Sequence, residues 1–145
     1  MVTPEHSLEL AKISDAPEIA HLSRTLIETG LPWSWLPQRV AASIRHPETN
    51  VLVARAGKRI AGFAIMRYGE EAAHLDLFAV DRADQRLGIG RRLLDWLEKP
   101  ARVAGIARIV LEVRTSNEAA QRFYEKMGYR KLALLSDYYR GRASA

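Results

Sequence analysis

From Leu77 to Ala101 the chain runs from a strand pattern into a helix pattern through glycines. The apolar run Leu77-Phe-Ala-Val80 meets a polar stretch, Asp81–Leu87, and then Gly88-Ile89-Gly90. Ile89, Leu93, Leu97 and Ala101 follow at four-residue spacing, one face of a helix that Gly105 ends. Ile106–Arg114 is again strand-like. Strand, helix and strand over 72–114 imply a parallel pair joined by a right-handed crossover, which limits the fold to a sheet with helices packed on it. The glycines let the backbone approach a ligand closely, and the helix start presents unpaired N–H groups, as phosphate sites do. Arg82, Arg86, Arg91 and Arg92 add positive charge against one acid, Asp84.

The flanking segments complete a mixed α/β reading. Ser7–Ile13 reads as a strand. Ser14 and Asp15 offer caps, with Glu18 three residues after Asp15, for a helix whose face is Ile19, Leu22, Leu26 and Ile27 and which Gly30 stops. Leu31–Pro37 suits a loop and Gln38–Arg45 a short helix. Val51–Arg55 and Ile60–Tyr68 flank Ala56-Gly57-Lys58 as a hairpin, and Ala72–Val80 is a third strand. Thr115 with Glu118 reads as a capping box for a helix with Ala120, Phe123, Tyr124 and Met127 on one stripe, closed by Gly128. Tyr129–Leu135 is the last strand expected, before a polar, basic tail. Pro100, inside the helix over 89–104, predicts a kink or break near Trp96–Lys99, because an interior proline costs about 3 kcal/mol.

Composition sets the class. With 145 residues, 48% hydrophobic and 27% charged, the chain reads as one globular domain over 1–145. It has no cysteine, which excludes disulfides, thiolate metal sites and a cysteine nucleophile, and no metal site is expected. The start lacks a secretory pattern and the longest apolar run is far short of a membrane span, so the expected setting is cytoplasmic, with no membrane partner. A net charge of +5 favours an anionic partner.

No Gly-Lys-Ser/Thr follows the loop, and Leu93 stands where a dinucleotide fingerprint needs its third glycine, so two familiar phosphate loops are rejected. Gln85-Arg86-Leu87-Gly88-Ile89-Gly90 instead resembles the Gln/Arg-x-x-Gly-x-Gly/Ala signature of the GNAT family of N-acetyltransferases. A second segment, Asn117-x-x-Ala120-x-x-Phe123-Tyr124-x-x-x-Gly128-Tyr129, is similar to that family's later motif, and the resemblance covers roughly residues 7–135. Leu111-Glu112-Val113-Arg114-x-Ser116-Asn117, Pro32-Trp33-Ser34 and Asp137-Tyr138-Tyr139 are similar to short stretches of bacterial ribosomal-protein-alanine N-acetyltransferases.

The resemblance implies a mostly antiparallel twisted sheet with helices on both faces, of about six strands here because the family's final strand has no apolar counterpart. It implies acetyl-CoA as co-substrate and direct transfer of acetyl to a primary amine, either a protein N-terminus or a small amine. The backbone of Phe78, Ala79 and Val80 is expected on the pantetheine arm and Gln85, Arg86, Leu87, Gly88, Ile89, Gly90 and Arg91 on the pyrophosphate. Asn117 and Tyr124 are expected on the coenzyme arm. Tyr124 is the candidate general acid, the alternative being simple core packing. Glu112 ranks first as base, His74 second and Asp76 third, with a water chain also open. Trp33, Trp35, Tyr138 and Tyr139 are the acceptor-side candidates.

Without a final strand, the last strand lacks a partner. It then pairs with its predecessor, is poorly ordered, or is covered by a second subunit, so a homodimer through this edge is one expectation. A coenzyme A-binding module with little or no catalysis is the competing function. A nucleic-acid binder is disfavoured, since no recognition motif accompanies the charge.

Overall fold

The computed structural model describes residues 6–135 and 138–144, and from Ala133 onwards it is the backbone that is described, except at the buried Gly141. The order is β1 (Ser7–Leu10), α1 (Ala16–Leu26), α2 (Pro37–Arg45), β2 (Thr49–Ala56), β3 (Arg59–Tyr68), β4 (Ala72–Val80), α3 (Ile89–Val103), β5 (Arg108–Arg114), α4 (Glu118–Lys126), β6 (Arg130–Leu135) and β7 (Tyr138–Ser144). One sheet takes them all in the order β1-β2-β3-β4-β5-β7-β6. Only the β4–β5 pair is parallel.

Alternation along the central strands builds a core on each face. Leu52, Ala54, Ala64, Met66, Ala73 and Leu75 face α3 and α4, meeting Leu93, Leu94, Leu97 and Tyr124. Val51, Val53, Phe63 and Ile65 face α1 and α2, meeting Ile19, Ala20 and Val40. Each fully buried leucine of α3 contributes about 1.5–3 kcal/mol, which is what holds an amphipathic helix on the sheet.

Two features position the site. The β3–β4 register pairs Met66 with Leu75 and Ile65 with Leu77, so Asp76 is an extra, bulged residue. Past it the faces exchange: Leu77 joins the α1–α2 core, and Phe78 and Val80 pack on the α3–α4 side. Second, β4 and β5 pair only over Ala72–Leu75 and Arg108–Leu111. Beyond that they part, and the β5-facing edge of Asp76–Val80 is open.

Several expectations are corrected. The final strand exists: Tyr138–Ser144 lies between β5 and β6 and pairs with both. Its sequence, Tyr-Tyr-Arg-Gly-Arg-Ala-Ser, carries no apolar alternation, but pairing uses backbone groups that every residue supplies. The partnerless edge that motivated a homodimer is therefore occupied. Helix α3 is not broken at Pro100 and runs to Val103, with the proline in its last turn. The capping boxes also differ. Asp15 accepts from the Lys12 N–H at 2.8 Å while Glu18 accepts from the Ile60 N–H at 2.9 Å, and α4 is capped by Asn117 rather than Thr115.

Candidate active site

Where β4 and β5 separate, a cleft of about 1140 Å³ opens between them. Its walls are the free ends of both strands, the loop from Arg82 to Arg91, the first turns of α4, and the α1–α2 segment at Glu28, Leu31, Ser34 and Trp35. Phe78, Ala79 and Val80 line it together with Glu112 and Arg114.

At one end lies the glycine loop. Gly88 caps α3 at φ +79°, and Arg86 has φ +68°, the only positive φ at a non-glycine residue among those described. No side chain caps this helix and no acid stands in its first turn, so its leading N–H groups and positive dipole end are left for an anion. Gly90 is required by close packing: a Cβ there would come within 3.1 Å of the Phe78 ring and 3.4 Å of Phe123. Gln85, Arg86, Gly88, Ile89, Gly90 and Arg91 line the cleft, whereas Leu87 is exposed outside it. Gln85 donates to the Val80 carbonyl oxygen at 3.1 Å, which closes the loop onto the end of β4. Asp84 turns inward and does not offset the loop arginines, since Arg59 grips it through two bonds of 2.6 and 3.0 Å. That guanidinium holds its carboxyl below the usual carboxylate range, against the opposing effect of burial.

In the cleft wall, Tyr124 is 7% exposed, its ring 5.9 Å from Phe78, 5.4 Å from Phe123 and 5.7 Å from Tyr129. The residue is packed in the core and also lines the cleft. Behind it Tyr129 donates to the buried Glu98 at 2.8 Å, and burial first, then that carboxylate, pushes the Tyr129 phenol up. Asn117 lines the cleft, but its Oδ1 accepts from the Ala120 N–H at 3.1 Å as the α4 cap. The residue singled out for the coenzyme arm thus also starts the helix that carries Tyr124.

Glu112 is exposed on β5 and lines the cleft; His74 and Asp76 line it from β4. Asp76 is held by Arg67 in two bonds of 2.6 and 2.9 Å, and His74 Nε2 lies 3.9 Å from the same carboxylate. Arg67 thus occupies both oxygens of Asp76.

On the acceptor side the two tryptophans part company. Trp35 lines the cleft, with the Arg39 guanidinium 3.8 Å from its ring centre. Trp33 turns to α1, donates to the Ala20 carbonyl oxygen at 3.2 Å and packs on the core. Tyr138 and Tyr139 open β7, and their side chains lie outside the described part of the structure. Two residues that were not among the site candidates complete this end. Buried Glu28 accepts from Ser34 N–H and Oγ at 2.8 and 2.7 Å and from Ser23 Oγ at 2.9 Å. Arg114 reaches from β5 to the same segment, donating to the Thr29 carbonyl oxygen at 2.8 Å.

Residues 17–129 match the model of the acetyltransferase (GNAT) family. The chain belongs to this family. Among curated relatives it is 31% identical over 134 residues to the [ribosomal protein bS18]-alanine N-acetyltransferase of Escherichia coli, covering 92% of this chain and 87% of that one. It is 35% identical over 131 residues to the N-alpha-acetyltransferase RimI of Mycobacterium tuberculosis, covering 88% and 80%. The PaiA N-acetyltransferase of Thermoplasma acidophilum, crystallised with coenzyme A, superposes with a TM-score of 0.86 over 97% of this chain and 99% of that one, at 18% identity. Among the described residues no helix is long and apolar enough to cross a membrane, and no group of three His, Asp or Glu is placed to hold a metal.

Proposed function

We propose that this GNAT acetyltransferase moves acetyl from acetyl-CoA to the α-amino group of a protein or peptide N-terminus. The observation that carries the reading is one cleft lined both by the uncapped start of α3 and by Glu112 and Trp35. The names of the two curated relatives support the α-amino acceptor over a small amine.

Acetyl-CoA supplies an activated acetyl thioester. The loop from Gln85 to Arg91 would hold its pyrophosphate, since bare N–H groups and two arginines match a doubly charged anion. The open edge of Phe78–Val80 would receive the pantetheine amides as a partner strand does, and would hydrogen-bond the thioester carbonyl as negative charge gathers on it. Glu112 takes the proton from the ammonium of the acceptor, directly or through water. The amine nitrogen attacks the thioester carbon, the C–S bond breaks, and the Tyr124 phenol gives its proton to the departing sulfur. As the C–S bond breaks the nitrogen gives up its second proton to solvent, which leaves a neutral amide and thiol; Glu112 releases its proton to solvent and Tyr124 recovers one from it. We read the whole chain, 1–145, as one such domain acting in the cytoplasm, where nascent N-termini meet acetyl-CoA. The coenzyme-binding module without catalysis rested on a missing last strand, and β7 removes that ground.

Free thiol release with acetyl-CoA, against a panel of N-terminal peptides and small amines, tests this. Turnover favouring peptides, and reduced at least about tenfold by Tyr124→Phe with the fold intact, is the expected result. Small-amine turnover alone, or an unaffected Tyr124→Phe, would overturn it.

A further inference from the structure

We propose that Asp84 is a positioning residue for the pyrophosphate loop, fastening it through Arg59 and His6 to β3 and β1. The inference rests on the reading of 85–91 as the phosphate site. Asp84 is 5% exposed. Its two oxygens take the fork of Arg59, the first residue of β3, and its Oδ1 lies 3.3 Å from Nε2 of His6, just ahead of β1. The His6 carbonyl oxygen in turn accepts from Arg92 Nη1 at 2.9 Å, on the first turn of α3. The loop is thus pinned on both sides, before it by Asp84 to Arg59 and His6, and after it by Arg92 to His6.

Between those pins the backbone passes through Arg86 at φ +68° and Gly88 at φ +79°, with Arg86 in a conformation that L side chains disfavour. Such a segment keeps its shape only when its surroundings fix it, and a loop fixed beforehand binds its anion without a further ordering cost. The charge arrangement points the same way. A bare carboxylate beside a pyrophosphate would repel it, so Asp84 is compatible with this site only while Arg59 neutralises it. Asp81, 3.8 Å from Arg59 Nη1, adds negative charge to the same spot.

This gives an order of effects that simple scaffolding does not. Asp84→Asn removes the pin and the negative charge together. Arg59→Gln removes the pin and leaves the charge exposed, so it is the more damaging of the two. The double variant is no worse than Arg59→Gln alone.

The test compares two donors, acetyl-CoA and S-acetylpantetheine, which has the same thioester but no pyrophosphate. Calorimetry with coenzyme A runs beside the kinetics. The ratio of kcat/KM for acetyl-CoA to that for S-acetylpantetheine should fall about tenfold in Asp84→Asn and further in Arg59→Gln. The ratio should recover partly in Asp84→Glu, while acceptor KM stays within about twofold. His6→Ala, which cuts one arm and keeps the buried pair, supplies a milder variant should Asp84→Asn fail to fold. It should lower the ratio about threefold. An unchanged ratio in folded variants, or Asp84→Asn worse than Arg59→Gln, overturns the proposal. Wild-type protein that does not bind coenzyme A at all overturns the phosphate-site reading itself and the proposal with it.

Discussion

Arg114 on β5 donates from Nη1 to the Thr29 carbonyl oxygen at 2.8 Å, tying the strand to the α1–α2 segment across the mouth of the cleft. Among the described residues its Nη2 is buried with no hydrogen-bond partner. Arg114→Met keeps much of the stem and cuts the tie. Losing a hydrogen bond from a charged donor costs about 1.5–3 kcal/mol, and removing a buried orphan N–H returns about 1–3 kcal/mol, so net stability should barely move. Loosening that wall should instead raise acceptor KM about fivefold and leave acetyl-CoA KM alone. Saturation curves for both substrates check this, and an equal rise in both would exclude it.

Glu28 fixes the same segment from within. Burial alone would raise its pKa, but hydrogen bonds from Ser34, then Ser23 and the Trp35 N–H, overcome burial and hold it below its ordinary value of 4.5. A carboxylate lowered on folding contributes stability above its unfolded pKa and loses it as pH falls through the lower folded value. In Glu28→Gln one acceptor oxygen becomes a donor facing these N–H and O–H groups, which should cost about 1–3 kcal/mol at neutral pH. Urea unfolding should show the gap between the two proteins narrowing as the pH falls below 4.5. A gap that keeps its size as the pH falls further below 4.5 would show that the charge plays no part.

What could be read along the chain was local. The loop over 85–90 and the α4 stripe are legible because glycines, caps and helical spacing act within a few residues. The features that escaped depend on distant partners. Strand β7 forms because β5 and β6 offer it backbone groups on both sides. Asp76 ranked as a base on strand alternation, but its role is set by Arg67 from the neighbouring strand. Strict alternation also misplaces Phe78, because the bulge at Asp76 reverses the faces behind it. Glu28 belongs to no motif, and its meaning appears only once Ser34 and Trp35 fold back onto it. Asp84 was counted as the loop's one acid, but folding turns it into the loop's anchor.

Gly90→Ala sets two effects of similar size against each other. Replacing a helical glycine with alanine stabilises by about 1 kcal/mol. The new methyl group meets the Phe78 ring at 3.1 Å and Phe123 at 3.4 Å, and overpacking of this kind costs about 1–3 kcal/mol. Phe78 is only half-buried and has the cleft beside it, so it can yield, which keeps the cost at the low end. The expected result is a melting temperature within about 3 °C of wild type. Coenzyme A affinity should still fall several-fold, because the ring moves into the coenzyme's path. Calorimetry and a melting curve separate the two, and unaltered affinity would show that Phe78 moves elsewhere.

Arg86 combines strain and charge in one residue, and three substitutions take them apart. Its φ of +68° costs about 1–2 kcal/mol for any residue with a Cβ. Arg86→Lys keeps strain and charge, so stability and coenzyme A affinity should stay near wild type. Arg86→Ala keeps the strain and loses the charge: affinity drops, and the slope of affinity against salt becomes shallower because one cation fewer faces the phosphates. Arg86→Gly loses both. Release of strain is set against the extra freedom of glycine in the unfolded chain, about 0.5–1 kcal/mol, so this variant should melt no lower than wild type while binding as weakly as Arg86→Ala. Melting curves, with coenzyme A titrations at two salt concentrations, read all three. A glycine variant that melts below the alanine variant would show that the left-handed turn at Arg86 is not strained.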